Sequence, residues 1–391
     1  MLIGIIGAPN KGKSTLFSAL TMNKVDIADY PFTTINPNKG VAYATKPCVE
    51  RELNTKCNAR NSLCEGGTRM IPINVIDVAG LVEGAHEGKG MGNQFLNDLA
   101  AADAFMIVVD ASGKTDPSGN PCADCDPIND FEMVLNELRH WVFGIIKRHM
   151  PALAKSKDGI GALQGLLTGL KITKDEIAEC VKSCYLTENS INWSDDDIMA
   201  FSKSILGIAK PIAIIANKSD VPGAEGKIKE LGSRLNDVRV FGCSAAMELA
   251  LKKASEQMLI DYIPGATSFN IINNAINKEQ KDALEYMNRF LEKHGGTGVQ
   301  SAINSMVFEI LDNIVVYPVE DENKFTDHSG NVLPDAILLG KDRKAVDLAG
   351  IIHTDIAKGM LYAIDAKKKI KIGKEHILRD NDVIKIVSTK K

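Results

Sequence analysis

The sequence predicts a mostly parallel α/β domain with a helical insertion, followed by a small α+β domain. Short apolar runs at residues 2–6, 71–76, 105–109, 211–216 and 238–243 are typical of strands that are buried on both faces of a sheet. Segments with helical periodicity separate these runs, as the crossovers between parallel strands require. With 391 residues, the chain is also longer than one hydrophobic core usually supports, so we expect at least two domains.

The composition excludes several classes of protein. The 46 basic and 50 acidic residues give a net charge of −4, which excludes a globally basic nucleic-acid coat but leaves local basic patches open. No run of about 18 apolar residues is present, and the opening run at residues 1–6 is too short for a signal peptide. We therefore expect a cytoplasmic protein. Eight cysteines are too few for a disulfide scaffold and are expected to be free thiols or metal ligands.

The spacing of the apolar runs predicts the domain boundaries. Roughly 100 residues separate the third and fourth strands, whereas a crossover needs only about 12, so we predict a helical insertion at about residues 135–208. A helical extension at about 266–311 closes a first domain of residues 1–311. Residues 312–391 form the second domain. Its strands are expected at 314–319, 336–339, 370–372 and 383–387, and its helix near 346–352.

A glycine-rich loop follows the first predicted strand and opens the first predicted helix. Residues 7–14 match the pattern G-x-x-x-x-G-K-[ST], in which backbone N–H groups surround a nucleotide phosphate. Lys13 is expected to reach the β and γ phosphates, and the Ser14 hydroxyl to ligate Mg²⁺. A structural glycine-rich turn is the alternative, but further motifs follow in the order that a P-loop NTPase requires. The predicted phosphate-binding residues are Gly7, Ala8, Pro9, Asn10, Lys11, Gly12, Lys13, Ser14 and Thr15.

Two further segments are expected to complete the Mg²⁺ site and to respond to the γ phosphate. Asp77 ends the second predicted strand, where its carboxylate can hold Mg²⁺ through water, and the Gly80 N–H can sense the γ phosphate. Thr34, rather than Thr33, is predicted to complete the Mg²⁺ shell from a proline-bounded loop at residues 30–34. An ordinary surface loop is the alternative interpretation of that segment.

The base of the nucleotide is predicted to be guanine. Asn217, Lys218 and Asp220 follow the fourth predicted strand, and the Asp220 carboxylate can accept hydrogen bonds from N1–H and the exocyclic amine of guanine. Adenine offers neither donor, so a desolvated, unpaired carboxylate should disfavour ATP by about 10⁴-fold. Ser244 and Ala245 follow the fifth strand and are expected to contact the edge of the base. The predicted ligand is therefore GTP with Mg²⁺, and an ATPase is the alternative.

Together these motifs resemble the Obg family of translation-factor-class GTPases, specifically its YchF (Obg-like ATPase) branch. The resemblance covers essentially the whole chain and includes the glycine-rich stretch at residues 84–93. It implies a P-loop NTPase fold with a Ras-like G domain. Residues 352–356 and 380–383 resemble a TGS domain, which is a β-grasp fold. The family implies GTP and GDP as ligands and the ribosome or tRNA as partners. Many members of this branch lack the guanine-reading motif and prefer ATP, but here the motif is intact.

The catalytic group is not evident from the sequence. Related switch GTPases often place a glutamine after Asp-x-x-Gly to orient the attacking water, whereas this chain has Leu81. Asn10 matches a loop asparagine that ligates K⁺ in some relatives, and its alternative role is a hydrogen bond within the loop. His86 is a second candidate, although a loop histidine is more often idle. We expect a low intrinsic rate of hydrolysis, and a nucleotide-sensing module with negligible hydrolysis is a competing hypothesis.

Two remaining features have both a functional and a simpler interpretation. A zinc site formed by Cys57, Cys64, Cys122 and Cys125 is conceivable, but the gap between the first two is wider than usual zinc spacing. Separate thiols are the alternative. A basic cluster at residues 367–371 could track the phosphates of RNA, or it could be a solvated lysine face.

Overall fold

The computed structural model describes residues 1–22, 38–85, 99–188, 191–273 and 276–389. The described chain divides into two compact units. Unit 1 contains the described residues of 1–22, 38–40 and 74–302, and unit 2 those of 41–73 and 303–389.

The larger sheet has the strand order β2-β4-β1-β5-β6-β7, and β3 pairs with the outer part of β4. Strands β4, β1, β5, β6 and β7 run parallel to one another, as the apolar runs predict. Its central strand β5 is buried along its whole length, because both faces of the sheet are covered. The strands are β1 (Leu2–Ile6), β2 (Lys39–Pro47), β3 (Leu63–Glu65), β4 (Thr68–Asp77), β5 (Ala104–Asp110), β6 (Ile212–Asn217) and β7 (Arg239–Cys243).

Helices connect the parallel strands and form the predicted insertion. Asp126 caps the N-terminus of its first helix by accepting the Ile128 N–H, and Ser194 caps the last helix through a capping box. The helices of unit 1 are α1 (Lys13–Thr21), α2 (Pro127–Leu153), α3 (Gly159–Leu166), α4 (Lys174–Ser183), α5 (Asp195–Ala209), α6 (Ala224–Arg234), α7 (Ala245–Glu256) and α8 (Lys278–His294). The helix α9 (Val299–Ser305) crosses the boundary between the units and continues as a π-helical turn, Met306–Ile310.

Unit 2 contains a mixed sheet with the order β11-β10-β14-β12-β13, in which β10 is parallel to β14. Helices α10 (Ala345–Ile352) and α11 (Thr354–Gly359) precede β12. Leu348 packs against the sheet residues Val316, Ala363 and Ile384 in one buried core. The strands are β10 (Asn313–Val319), β11 (Ile337–Gly340), β12 (Met360–Asp365), β13 (Ile370–Ile372) and β14 (Asp382–Ser388).

The structure differs from the sequence-based expectations in three places. Strands β2, β3 and β12 were not predicted. The mixed polar and apolar residues of β2 and β3 lack the continuous runs of buried strands, whereas β12 has a short apolar run at residues 360–364 that follows directly on a helix. The predicted continuous helical stretch after Cys243 is interrupted by a short antiparallel pair, β8 (Ile260–Asp261) with β9 (Asn270–Ile271). The boundary between the units falls at residues 302/303 rather than at 311/312.

Residues 41–73 belong to unit 2, although they precede most of unit 1 in the sequence. The fully buried guanidinium of Arg69 donates hydrogen bonds to the backbone oxygens of Leu333 and Pro334. Val49 and Ile71 share a buried core with Tyr317 and its neighbours. Such long-range contacts leave no periodic signal in the sequence. None of the helices in the described part of the chain combines the length and apolar character that a bilayer span requires.

Candidate nucleotide-binding site

The glycine-rich loop lies between β1 and α1, and two of its glycines have no room for a side chain. Gly7 has a φ of 153°, and an added Cβ would lie 2.5 Å from the Val108 oxygen. Gly12 has a φ of 89°, and an added Cβ would lie 2.3 Å from Nδ2 of Asn217. Both positions therefore require glycine, and the loop adopts the tight path that brings backbone N–H groups together.

Lys13 is buried at the start of α1, where its ammonium group donates a 2.8 Å hydrogen bond to the Ala8 oxygen. Burial lowers the pKa of Lys13, and the nearby Asp77 carboxylate opposes this effect. A partly desolvated ammonium group that bonds to its own loop is well placed to exchange that carbonyl for an anionic phosphate oxygen.

Asp77 and Ser14 fit the role of Mg²⁺ ligands. Burial raises the pKa of the Asp77 carboxyl, while a hydrogen bond from the exposed Ser14 hydroxyl lowers it. Oδ1 of Asp77 is buried and has no hydrogen-bond partner among the described residues. A buried, unpaired carboxylate oxygen beside a hydroxyl matches the hard oxygen ligands that Mg²⁺ prefers. When bound, Mg²⁺ would neutralise charge on the phosphates, and these two side chains would hold it.

Gly80 and Leu81 follow Asp77 and approach the phosphate loop. An added Cβ at Gly80 would lie 3.1 Å from the Lys13 ammonium nitrogen, so the backbone of this residue borders the phosphate site. The Leu81 N–H donates a 3.0 Å bond to the Gly7 oxygen, but its side chain is only 1% exposed and packs into the core. Leu81 is therefore a core residue, which explains how the chain accommodates it at this position.

Asn217 joins the phosphate loop to the loop after β7. Its Nδ2 donates a 2.9 Å hydrogen bond to the Lys11 oxygen. Its Oδ1 accepts a 3.1 Å bond from the Ala245 N–H. One buried amide side chain thus fixes the distance between the segments that were predicted to bind the phosphates and the base.

Lys218 and Asp220 extend from the end of β6. Lys218 donates to the Asn10 oxygen at 3.2 Å and forms a 2.8 Å ion pair with Asp110. The Asp220 carboxylate is half-buried, and no described residue forms a hydrogen bond to it. Its backbone oxygen accepts a 3.2 Å bond from the Tyr286 hydroxyl. The Tyr286 hydroxyl therefore ties the backbone of Asp220 to α8, and the carboxylate remains available to a ligand.

Ser244 and Ala245 begin α7, and both are fully buried. The Ser244 hydroxyl caps this helix by accepting a 3.3 Å bond from the Met247 N–H, while the Ser244 N–H donates to the Thr297 oxygen. These contacts stabilise the loop, and contact of Ser244 and Ala245 with the base stays a prediction.

Lys11 and Asn10 have structural contacts that the sequence did not reveal. The Lys11 ammonium group is buried, forms a 2.9 Å ion pair with Asp130 and donates to Thr115. The Asn10 amide donates a 2.9 Å bond to the Gly119 oxygen, which matches the alternative role of a loop hydrogen bond. Asp130 was missed because an isolated acidic residue near the start of a helix resembles an ordinary solvent-exposed residue. Pro9 is half-buried beside these residues, and Thr15 is half-buried within α1.

The predicted four-cysteine zinc set is wrong. Cys122 and Cys125 are joined by a disulfide bond, so their sulfurs are not available as a pair of thiolate ligands. Cys57 and Cys64 instead lie beside Cys48, and a hydrogen bond from Cys64 lowers the pKa of Cys48 to about 6. The candidates Thr34 and His86 lie outside the described residues.

The fold and this site define a P-loop GTPase domain with a parallel sheet, joined in one chain to a C-terminal TGS domain. Residues 2–138 match the family model described as 50S ribosome-binding GTPase. Residues 215–321 match the Obg-like GTPase YGR210-like, G4 motif-containing domain, and residues 329–388 match the TGS domain. These matches confirm the fold class that the sequence predicts.

Relatives and solved structures extend this likeness to the whole chain. A GTP-binding protein of Methanocaldococcus jannaschii is 49% identical over 395 residues, with 100% of both chains covered. The ribosome-binding ATPase YchF of Mycoplasma genitalium is 30% identical, with 97% of both chains covered. The crystal structure of a GTP-binding protein from Pyrococcus horikoshii is 35% identical and matches with a TM-score of 0.80 over 100% of both chains. The chain belongs to the YchF/Obg-like family of GTP-binding proteins.

Proposed function

We propose that this chain binds GTP with Mg²⁺, hydrolyses it at a low intrinsic rate and reports the nucleotide state to the ribosome or to tRNA. The observation that carries the proposal is the half-buried Asp220 carboxylate, which has no hydrogen-bond partner among the described residues. Asn217 ties this segment to the phosphate loop through the Lys11 oxygen. The geometry therefore supports one nucleotide that contacts both loops.

Guanine satisfies this carboxylate better than adenine does. Guanine presents N1–H and an exocyclic amine on one edge, so each oxygen of Asp220 can accept one hydrogen bond. Adenine has an unprotonated N1 at the same place and would leave the carboxylate desolvated without a donor. We expect GTP to bind more tightly than ATP for this reason.

The low intrinsic rate follows from the position of Leu81. Its side chain is buried in the core, so it offers neither a donor nor an acceptor to the attacking water. We propose that the catalytic contribution comes from K⁺ or from a partner. The Asn10 amide nitrogen donates to the Gly119 oxygen, so only the side-chain oxygen of Asn10 is left as a ligand for a monovalent cation. The rate of GTP hydrolysis measured in K⁺ and in Na⁺ buffers tests the contribution of K⁺. Equal rates in the two buffers would exclude that contribution.

ATP hydrolysis is a second candidate function, because one relative carries the name ribosome-binding ATPase YchF and others carry the name Obg-like ATPase 1. Calorimetric titration with non-hydrolysable analogues of GTP and ATP in the presence of Mg²⁺ distinguishes the two. Equal or tighter binding of the ATP analogue would favour this second function and contradict our assignment of Asp220.

The variant Asp220→Asn tests the contact with the base directly. The amide replaces one acceptor by a donor, whereas xanthine carries an oxygen where guanine carries its exocyclic amine. We expect the affinity for GTP to fall by at least about 100-fold, because the amide nitrogen of the variant faces the exocyclic amine of guanine, donor against donor. The affinity for xanthosine triphosphate should rise, because the same amide can donate to the oxygen of xanthine. Asp237→Asn, at an exposed position of the same unit, is the matched control and should retain GTP preference. If Asp220→Asn kept the nucleotide selectivity of the wild type, Asp220 would not be the residue that contacts the base.

Docking on the ribosome rests on the family-model description, 50S ribosome-binding GTPase, and on the name of the YchF relative. Co-sedimentation of the purified chain with ribosomes, in the presence of a GTP analogue or of GDP, measures it. We expect more protein in the ribosome pellet with the analogue. Sedimentation that does not depend on the nucleotide would contradict a reporting role.

A further inference from the structure

Unit 2 contains a group of side chains that the nucleotide site does not use. One sulfur atom from each of three cysteines and one carboxylate oxygen lie within 4.8 Å of one another. We propose that this group binds a single Zn²⁺ ion as a tetrahedral site. Its members are Cys48, Glu50, Cys57 and Cys64.

The distances fit a mononuclear ion with little rearrangement. Zn–S bonds of about 2.3 Å place the sulfur atoms of a tetrahedral site about 3.8 Å apart. The ligand atoms here all lie within 4.8 Å of one another, so shifts of roughly 1 Å or less would bring them onto the ion. The three cysteines are reduced in the structure, and none is joined to another by a disulfide bond.

Backbone contacts hold the ligands in place from separate parts of the segment. Cys48 follows β2 and donates its N–H to the Gly67 oxygen at 2.9 Å. Cys64 lies in β3, opposite Arg69 of β4. The Cys57 N–H donates a 2.8 Å bond to Oε2 of Glu50, while Oε1 of Glu50 faces the Cys64 sulfur at 3.6 Å. The group therefore converges through the fold and not through a short sequence motif.

The chemistry of the ligands favours zinc over harder ions. Thiolates bind Zn²⁺ in preference to Mg²⁺ or Ca²⁺, which take oxygen ligands. Three thiolates and one carboxylate around Zn²⁺ carry a net charge of about −2, which would be costly to bury alone. The buried guanidinium of Arg69 acts electrostatically on this group and offsets part of that charge.

The surrounding segment explains what the ion would stabilise. Residues 52–62 contain no helix or strand, and most of their side chains are polar or charged. Two backbone bonds join this segment to a neighbouring loop, from the Asn58 N–H to the Val332 oxygen and from the Arg60 N–H to the Pro334 oxygen. With so little apolar surface to bury, a metal crosslink is an effective way to fix a loop of this length.

Metal analysis of the full-length wild-type protein tests the proposal. The protein is purified under reducing conditions, supplied with zinc and then dialysed. We expect about one zinc per chain by mass spectrometry of the metal content. Substitution by Co²⁺ should give the thiolate charge-transfer band and the intense d–d absorption of a tetrahedral site. Wild-type protein that binds neither ion, or in which two of the three sulfurs are found as a disulfide, would overturn it.

Variants then test the individual ligands. Cys64→Ser should lose the zinc, whereas Cys184→Ser, at a half-buried free thiol outside the group, should retain it. Glu50→Gln should weaken zinc binding by about 10- to 100-fold or more, because the amide cannot supply the charge of a ligand carboxylate. Zinc retained by Cys64→Ser, or unchanged affinity in Glu50→Gln, would contradict the ligand set. Because the group lies in unit 2, an unchanged circular-dichroism spectrum of each variant shows that the loss of zinc is not caused by unfolding of this unit.

Discussion

Leu81 follows the Asp-x-x-Gly motif, where many related switch GTPases place a glutamine, and its side chain is 1% exposed. It packs in the same core as Val78 and Ala85, while its N–H bonds to the phosphate loop. The position therefore contributes to stability through its side chain and to the shape of the site through its backbone.

Leu81→Ala is expected to lower the free energy of unfolding by about 2–5 kcal/mol, because it leaves a cavity in a close-packed core. Chemical denaturation measures this loss. Leu361→Ala, at a position that is 55% exposed, is the control and should change stability by less than about 0.5 kcal/mol. Equal effects of the two substitutions would mean that Leu81 is not a core residue.

Lys210 is a buried cation directly after α5, and its ammonium group donates to the Ala100 and Ala102 oxygens. Burial lowers its pKa from 10.5 to about 8. Between these values the unfolded chain binds a proton that the folded chain does not, so stability rises with pH across this interval.

We therefore expect the stability of the wild-type protein, relative to Lys210→Met, to increase as the pH is raised from about 8 toward 10.5. Below about pH 8 this difference should become constant, because Lys210 is then protonated in both states. Urea unfolding of both proteins at several pH values measures it. A difference that falls with rising pH would show that the pKa is raised instead.

At the scale of elements, the phosphate loop is held by an ion pair with α2. Lys11 and Asp130 are almost completely buried, with side-chain exposures of 0% and 3%. Lys11 also donates to Thr115 in the loop after β5, and Asp130 accepts the Asp110 N–H. The pair thus connects three elements, and loss of one partner would leave a buried charge without compensation.

Lys11→Met is expected to destabilise the protein by about 3–5 kcal/mol for this reason. Adding Asp130→Leu should cost less than the sum of the two single changes, because no charge then remains buried and unpaired. Lys147→Met, in an exposed ion pair with Asp195, is the matched control and should cost at most about 1 kcal/mol. Denaturation of the wild type, the two single variants, the double variant and Lys147→Met measures these losses of stability. Strict additivity at residues 11 and 130 would contradict the coupling.

At the scale of the whole molecule, the two units have separate hydrophobic cores. The core of unit 1 includes residues of β5 and the insertion helices, whereas that of unit 2 lies between its sheet and α10. Both tryptophans, Trp141 and Trp193, are buried in unit 1. Tryptophan fluorescence therefore reports the unfolding of the unit that contains the nucleotide site.

Adding GTP and Mg²⁺ should raise the fluorescence-detected unfolding temperature. At a concentration of 100 times Kd, a ligand that binds only the folded state stabilises it by about 2.7 kcal/mol. This stabilisation corresponds to a rise of roughly 5–10 °C in the unfolding temperature of a unit of this size. Lys13→Ala should show no shift, because it lacks the phosphate-binding ammonium group. A similar shift in the variant would place the nucleotide elsewhere.

The sequence by itself determined the parallel sheet, the insertion and the motifs of the phosphate and base loops. These features depend on local signals: continuous apolar runs mark buried strands, and Gly7 to Ser14 requires a particular order of residue types. The strands that precede these motifs therefore lie close to their predicted positions.

Only the tertiary structure decided which distant residues meet. In the structure, Asn217 lies between two loops and Lys11 is buried against Asp130. Residues 41–73 belong to unit 2 and not to the first predicted domain. The tertiary structure also replaced the expected cysteine set by one that combines Cys48 and Glu50 with Cys57 and Cys64. The physical reason is that most of these contacts join residues far apart in the chain, whose packing and charge compensation leave no periodic pattern in the sequence. Within residues 48–64, the irregular loop that brings the four side chains together leaves no such pattern either.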